Sequence, residues 1–248
     1  MKTFFRNALR YAALMPLLAT SLVAHANVVV EGTRVIYTAD MKEASVRIQN
    51  TGQVPSLVQV WVDEINVKAD PSTTRAPFVA LPPLLRVDAG KSQVLRLRQI
   101  GGELPQDRES AFWLNILDAP AAEKRGSGSA QLQISVRNRI KLFYRPQSLA
   151  KQSVSGVIEN LEWSVVPHQG GWALQVRNPS VFHVSLIRAE VINGNNSAEA
   201  KGIAMIAPLT TQHFALPGDA NARSGSVKFK FASEHGALIE HTVPLRNP

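Results

Sequence analysis

The chain has 248 residues, with 27 basic and 19 acidic side chains and no cysteine. Lacking thiols, it can form neither disulfides nor thiolate metal sites, so its fold must rest on buried apolar surface, which two ordinary domains can supply. The basic excess invites a nucleic-acid reading, but Lys and Arg are spread along the chain with no RNP, zinc-finger or helix-turn-helix pattern.

Residues 1–26 read as a cleaved signal peptide. Lys2, Arg6 and Arg10 form a basic start, residues 11–23 an apolar stretch, and Ala24-His25-Ala26 a small-x-small cleavage site. The stretch is short for a membrane span, and no later run approaches about 20 apolar residues. An anchoring helix is the weaker alternative. The reading implies export as a chain starting at Asn27. Its net charge drops from +8 to +5 because three cations leave with the signal. Export also argues against nucleic acid as a partner.

From residue 27 the dominant period is two. Residues 28–37, 44–49, 57–65, 93–99, 112–117 and 131–143 are alternating or β-branched. Breakers separate them: Asn50-Thr51-Gly52, Asp70-Pro71-Ser72, Leu81-Pro82-Pro83, Asp88-Ala89-Gly90 and Gly101-Gly102. After Arg145-Pro146 a second set begins, at 154–166, 172–177, 183–192, 212–216, 225–231 and 237–243. Its turns are Gly170-Gly171, Asn178-Pro179, Asn193-Gly194 and Pro217-Gly218-Asp219. No segment carries a convincing helical period. The spacing predicts an all-β protein of two immunoglobulin-like β-sandwich domains, 27–145 and 146–248. A single barrel over 27–248 is the alternative.

The inventory of catalytic and ligating groups is empty. His25 leaves with the signal. His168, His183, His213, His235 and His241 show no HxH or HExxH spacing and read as surface or loop residues. Gly126-Ser127-Gly128-Ser129 lacks the spacing of a nucleophile elbow, and no P-loop or GxGxxG is present. Asn195-Asn196-Ser197 has the form of a glycosylation sequon, but Gly194 beside it makes it a plain turn. No enzyme, no cofactor and no metal are expected, which moves the weight to binding.

One segment suits a binder. From Gln131 to Val136 the chain alternates strictly, so Leu132, Ile134 and Val136 share one face. The run continues to Tyr144, well beyond an ordinary strand of about 5–6 residues. Polar and cationic residues on its other face suggest an edge strand exposed to a partner. On alternation alone, a strand whose apolar row fills its own core is the better reading.

The wider pattern decides otherwise. Thr33-Arg34-Val35-Ile36-Tyr37 resembles the first-strand signature of the periplasmic pilus chaperones of the chaperone–usher family. Leu57-Val58-Gln59-Val60-Trp61-Val62-Asp63 looks like their LVQxWxD strand. Pro77-Phe78 with Pro82-Pro83-Leu84-Leu85-Arg86 is similar to their PF…PPLFR segment. Residues 104–116 resemble LPxDRESxFWLNI, and Arg139-Ile140-Lys141-Leu142-Phe143-Tyr144-Arg145-Pro146 closes the first domain in the family's manner. The second half resembles the family only loosely.

The resemblance implies two immunoglobulin-like domains arranged in an L, PapD-like, with a cleft facing a pilus (fimbrial) subunit. In such proteins a cleft arginine and a cleft lysine hold the subunit's C-terminal carboxylate; those positions match Arg34 and Lys141. The donor residues that complete the subunit's fold match Leu132, Ile134 and Val136. An outer-membrane usher is the implied second partner. Glu109 and Arg145 match two members of an interdomain ion cluster. Glu234, in Ser233-Glu234-His235-Gly236-Ala237, stands where the family carries an aspartate. Only eleven residues separate Pro120 from Leu132, which looks like the short-loop subgroup serving rod-forming pili. Strict parity puts Lys141 on the opposite face from Leu132, so a bulge, a strong twist or approach from the other side is expected. The cognate pilin and usher, and self-capping dimerisation of the free chain, stay open. A secreted two-domain immunoglobulin-like adhesin or receptor is the competing reading.

Overall fold

The computed structural model describes residues 27–65, 67, 70–120, 134–217 and 225–246. The signal-peptide reading and Leu132 lie outside them. Among the described residues, nine strands build the first half: β1 (Val28–Val30), β2 (Arg34–Thr38), β3 (Ala44–Asn50), β4 (Ser56–Glu64), β5 (Phe78–Leu81), β6 (Leu84–Val87), β7 (Ser92–Gln99), β8 (Ser110–Pro120) and β9 (Val136–Arg145). They form a four-stranded sheet, β1-β3-β7-β5, and a five-stranded one, β2-β9-β8-β4-β6. Alternation dictates what lies between them. In β3, Ala44, Val46, Ile48 and Asn50 are buried while Ser45, Arg47 and Gln49 are exposed, and each apolar side chain withdrawn from water contributes roughly 1.5–3 kcal/mol. Phe78 sits at the middle of an aromatic group, edge-on to Tyr37 at 5.3 Å and to Phe112 at 5.1 Å.

The stretch 28–37, expected as one strand, is two. Gly32 takes φ +92°, and the chain changes sheets there: β1 pairs antiparallel with β3, whereas β2 pairs parallel with β9. A positive φ is open to glycine at little cost, so the break falls where the sequence allows it. Strands β5 and β6 were absent from the sequence reading, because Leu81-Pro82-Pro83 marks only the turn between two four-residue strands.

The second half holds β10 (Glu162–His168), β11 (Gly171–Arg177), β12 (Leu186–Asn193), β13 (Asn196–Glu199), β14 (Thr211–Leu216), β15 (Ser226–Ala232) and β16 (Leu238–Pro244). A three-stranded sheet, β10-β11-β14, faces a four-stranded one, β13-β12-β15-β16. Residues 154–160, expected to begin a strand, form two 3-10 turns. The physical reason is spacing: Val154, Ile158 and Leu161 are the buried residues, and steps of four and three suit helical turns, not a period of two. Ser153 accepts a hydrogen bond from the Ser155 N–H and opens the first turn. The sequon triplet falls at the β12–β13 hairpin, whose Asn193 and Asn196 pair directly across Gly194.

The cores are separate. One gathers Ile48, Leu95, Leu97, Leu114, Ile116 and Leu142 with residues drawn only from 28–144. The other gathers Trp163, Leu174, Phe182, Ile206, Phe229 and Phe231 from 149–245. Two sandwiches with private cores replace the single-barrel alternative.

Candidate functional site: a cationic cleft between two sandwiches

Strand β9 carries the site. Its ladder with β8 runs from Asp118↔Val136 to Ser110↔Tyr144 without a register shift. Among the described residues no bulge interrupts this ladder, and parity holds from Val136 to Tyr144. Ile140, Leu142 and Tyr144 point into the core; Arg137, Arg139, Lys141, Phe143 and Arg145 occupy the opposite, outer face.

That outer face meets the second sandwich. The parallel ladder between β2 and β9 begins at Arg34↔Lys141 and ends at Thr38↔Arg145, so Arg34 and Lys141 stand side by side on one face. Each reaches across to the second half. Lys141 Nζ donates to Ser185 Oγ at 3.0 Å, and Arg34 Nη1 donates to the Ala232 carbonyl at 3.0 Å. Burial, with help from the Arg34 charge, lowers the Lys141 ammonium to about 8. Burial also lowers Arg34, against the opposing pull of Glu109 and Glu234. The Arg34 Nε–H is buried without a partner, and a small, partly open recess of about 10 Å³ adjoins it, room for about one water. Two adjacent, partly desolvated cations and an unmatched donor are the chemistry of an anion holder. No metal-ligating cluster occurs among the described residues.

The expected donor row divides. Ile134 is 60% exposed, and Val136 is half-buried, although both share the inward parity of Ile140 and Leu142. Ile134 and Ser135 lie before the strand begins. The edge expectation needs a correction as well. Beyond Lys141, β9 is an interior strand between β2 and β8, and only its first half, Val136 to Ile140, lacks a strand on the β2 side among the described residues.

Glu109, Arg145 and Glu234 come together behind the cations. Arg145 Nε donates to Glu109 Oε2 at 2.9 Å, Nη1 to the Gln152 carbonyl at 3.0 Å, and Nη2 to Glu234. Glu234 also accepts from the Val154 N–H at 3.1 Å and the Ser153 hydroxyl at 3.2 Å. Glu234 thus joins β9 to the turn that begins at Ser153. Burial pushes its carboxyl up, but the Val154 N–H, Arg145 and Ser153 outweigh that and hold it below its usual value. Glu109 accepts at Oε1 from the His183 N–H at 2.9 Å, with the His183 ring Nδ1 3.0 Å away. His183 is the residue that sequence reasoning missed. Read as a surface or loop histidine, it is nearly buried beside Phe143, ring centroids 5.6 Å apart. Its partner lies 74 residues away in the chain, so no local spacing announces it. Ser185 was missed for the same reason.

Comparison with known proteins agrees over both halves. The family described as pili and flagellar-assembly chaperone, PapD N-terminal domain, matches residues 27–150, and the pili assembly chaperone PapD C-terminal domain matches residues 156–243. The chaperone protein FimB/FhaD of Bordetella pertussis is 40% identical, over 97% of this chain and 98% of its own. The crystal structure of the YadV chaperone superposes with a TM-score of 0.75 at 34% identity, covering 89% of this chain and all of that one. The SafB chaperone of Salmonella enterica, solved in complex with the SafA pilin, gives 0.73 at 28% identity, covering 90% and 98%. With both halves matched along nearly the full length, the chain belongs to the PapD family of periplasmic pilus-assembly chaperones, and its role is binding rather than catalysis.

Proposed function

We propose that the chain captures a pilus subunit by pairing the subunit's C-terminal strand, in parallel, along the open first half of β9. The register of β2 carries this reading. Because β2 joins β9 only from Arg34↔Lys141 onward, a second parallel strand laid along Val136 to Ile140 must stop where β2 begins. Its terminal carboxylate then arrives between Arg34 and Lys141. Ladder hydrogen bonds contribute about 1 kcal/mol net each, and the two cations fix which residues pair.

Leu132, Ile134 and Val136 then serve as the donated row, filling the groove left by the strand that the subunit lacks. The exposure of Ile134 in the free chain supports this: an isoleucine continuing the core row past the end of its own core has apolar surface to give, worth roughly 1.5–3 kcal/mol on full burial. The ion cluster of Glu109, Arg145 and Glu234 fixes the second domain (146–248) against the first (27–145), so that Ser185 and Ala232 stay opposite the cations. Residues 1–26 act as the export signal, the loop before the donor row places the chain in the short-loop subgroup, and an outer-membrane usher receives the capped subunit.

The test is a C-terminal peptide of a co-purifying subunit, as free acid and as amide. The free acid should bind the wild type far better, because amidation removes the charge that the two cations hold. Arg34→Ala and Lys141→Ala should each cost about 2–5 kcal/mol of binding and lose the preference for the acid. Equal affinity of the wild type for both peptides would refute the anchor.

A further inference from the structure

We propose that Arg137 and Arg139 form a charge-reading column for the captured strand, selecting partners that carry carboxylate side chains at alternate positions just before the C-terminus. This deepens, and rests on, the strand-pairing reading above. The two arginines precede Lys141 at steps of two on the same outer face of β9, beside the half of its edge that β2 leaves uncovered. In a parallel pair, neighbouring residues of the two strands share a face. Every second side chain of a strand laid along Val136 to Ile140 therefore stands next to one of these cations, while the intervening ones turn inward with Ile140.

The two arginines are exposed, yet Arg139 is not a loose surface charge. Its guanidinium lies 4.5 Å over the Trp113 ring. Trp113 belongs to β8, so the guanidinium rests on the side of β9 opposite the uncovered edge; stacking leaves its N–H donors unspent, and the long side chain swings across β9 to meet a carboxylate at that edge. Burial and the charge of Arg137 both disfavour the Arg139 cation, with Asp63 opposing them; an arriving carboxylate relieves that repulsion. Arg34, Lys141, Arg139 and Arg137 thus run as one cationic line along the cleft wall. An acidic side chain within the strand is recognised by the same chemistry as the terminal carboxylate, one and two steps further out.

Nonathreonine with a free C-terminal carboxylate, dye-labelled at its N-terminus, is the probe, because each replacement in it is chemically identical. Aspartate is walked through its last six positions, and affinity for the full exported chain is read by fluorescence anisotropy. The expected pattern has a period of two: two alternate positions gain about threefold to fivefold each, and the positions between them gain nothing. Arg139→Gln should abolish the gain at one position and Arg137→Gln at the other, and the gains should shrink in high salt. A uniform gain at all positions, no gain at any, or gains that survive both substitutions overturn the proposal. If the parent peptide prefers neither acid nor amide, or does not bind, the capture reading fails and this inference with it. Preference for the acid together with a flat aspartate scan sinks only the charge reading.

Discussion

The two halves of β9 have the same alternation and opposite surroundings. From Lys141 to Arg145, neighbours close on every side: β2 and β8 on the edges, the first core beneath, and His183, Ala232 and Ser185 above. From Val136 back to Ile134 the same inward row leaves its core, and Ile134 ends 60% exposed. One half is enclosed, and the other is open surface, the part proposed above to meet the subunit strand. The difference shows that alternation specifies only which side chains go together; what they go against depends on how far neighbouring strands extend.

The largest expected effect comes from breaking the closed half. Arg145 is buried between Glu109 and Glu234, so Arg145→Ala leaves the Glu109 carboxylate buried with one cation fewer. Removing one partner of a buried pair costs about 3–5 kcal/mol. Urea denaturation should show that loss, with Arg145→Lys recovering only part of it because an ammonium cannot reach two carboxylates and a carbonyl as a fork does. A loss below about 1 kcal/mol would mean that the cluster does not tie the halves together.

Substitutions in one row sharpen the contrast directly. Leu142→Ala removes a fully buried side chain and should cost about 2–5 kcal/mol of stability. Ile134→Asp, eight residues earlier on the same parity, should change stability by no more than about 0.5 kcal/mol. It should nevertheless abolish recovery of soluble subunit, since a carboxylate would enter an apolar groove. If Ile134→Asp unfolds the chaperone, the exposed half is ordinary core and the comparison fails.

These contrasts show what the sequence could reveal. Alternation gave the all-β class, because period-two rows such as Ala44 to Asn50 need no long-range knowledge. It misread 154–160, where Val154, Ile158 and Leu161 are spaced for a helical turn, and it passed over β5 and β6, hidden behind Pro82-Pro83. Arg34 and Lys141 were reached through a resemblance to the family, not through spacing. Their adjacency is created by a parallel pairing of distant segments, which leaves no local trace. His183 and Ser185 had neither a motif nor a local partner, so only the fold could bring them to Glu109 and Lys141.

A smaller effect separates stability from binding by pH. Lys141 falls from 10.5 to about 8 through burial, with Arg34 adding to it. Between about pH 8 and 10.5 the unfolded chain keeps a proton on this amine that the folded chain has released. Its contribution to stability therefore rises with pH over that window. Carboxylate binding needs the charged amine, so affinity for a free-acid subunit peptide should run the opposite way and decline as pH climbs through about 8. The amide should show no such decline, and Lys141→Arg should flatten the profile. A wild-type profile level to pH 9.5 would place the amine outside the binding site.

The smallest effect tests the far side of the cluster, at Glu234. The Val154 N–H, Arg145 and Ser153 together hold its carboxyl below the ordinary value of 4.5 against the opposing effect of burial. The unfolded carboxyl thus takes up its proton at higher pH than the folded one. The stability it contributes is present above about pH 4.5 and is lost as pH falls through the lower folded value. Glu234→Gln keeps the shape and one acceptor but removes the charge, so it should cost about 1 kcal/mol at pH 7 and progressively less in acid. Because Glu234 joins Arg145 of the first half to Val154 and Ser153 of the second, its loss should also speed hydrogen exchange at the Val154 N–H while leaving Leu142 protected. Equal protection at both sites in the variant would show that the domains are held by Glu109 and His183 without it.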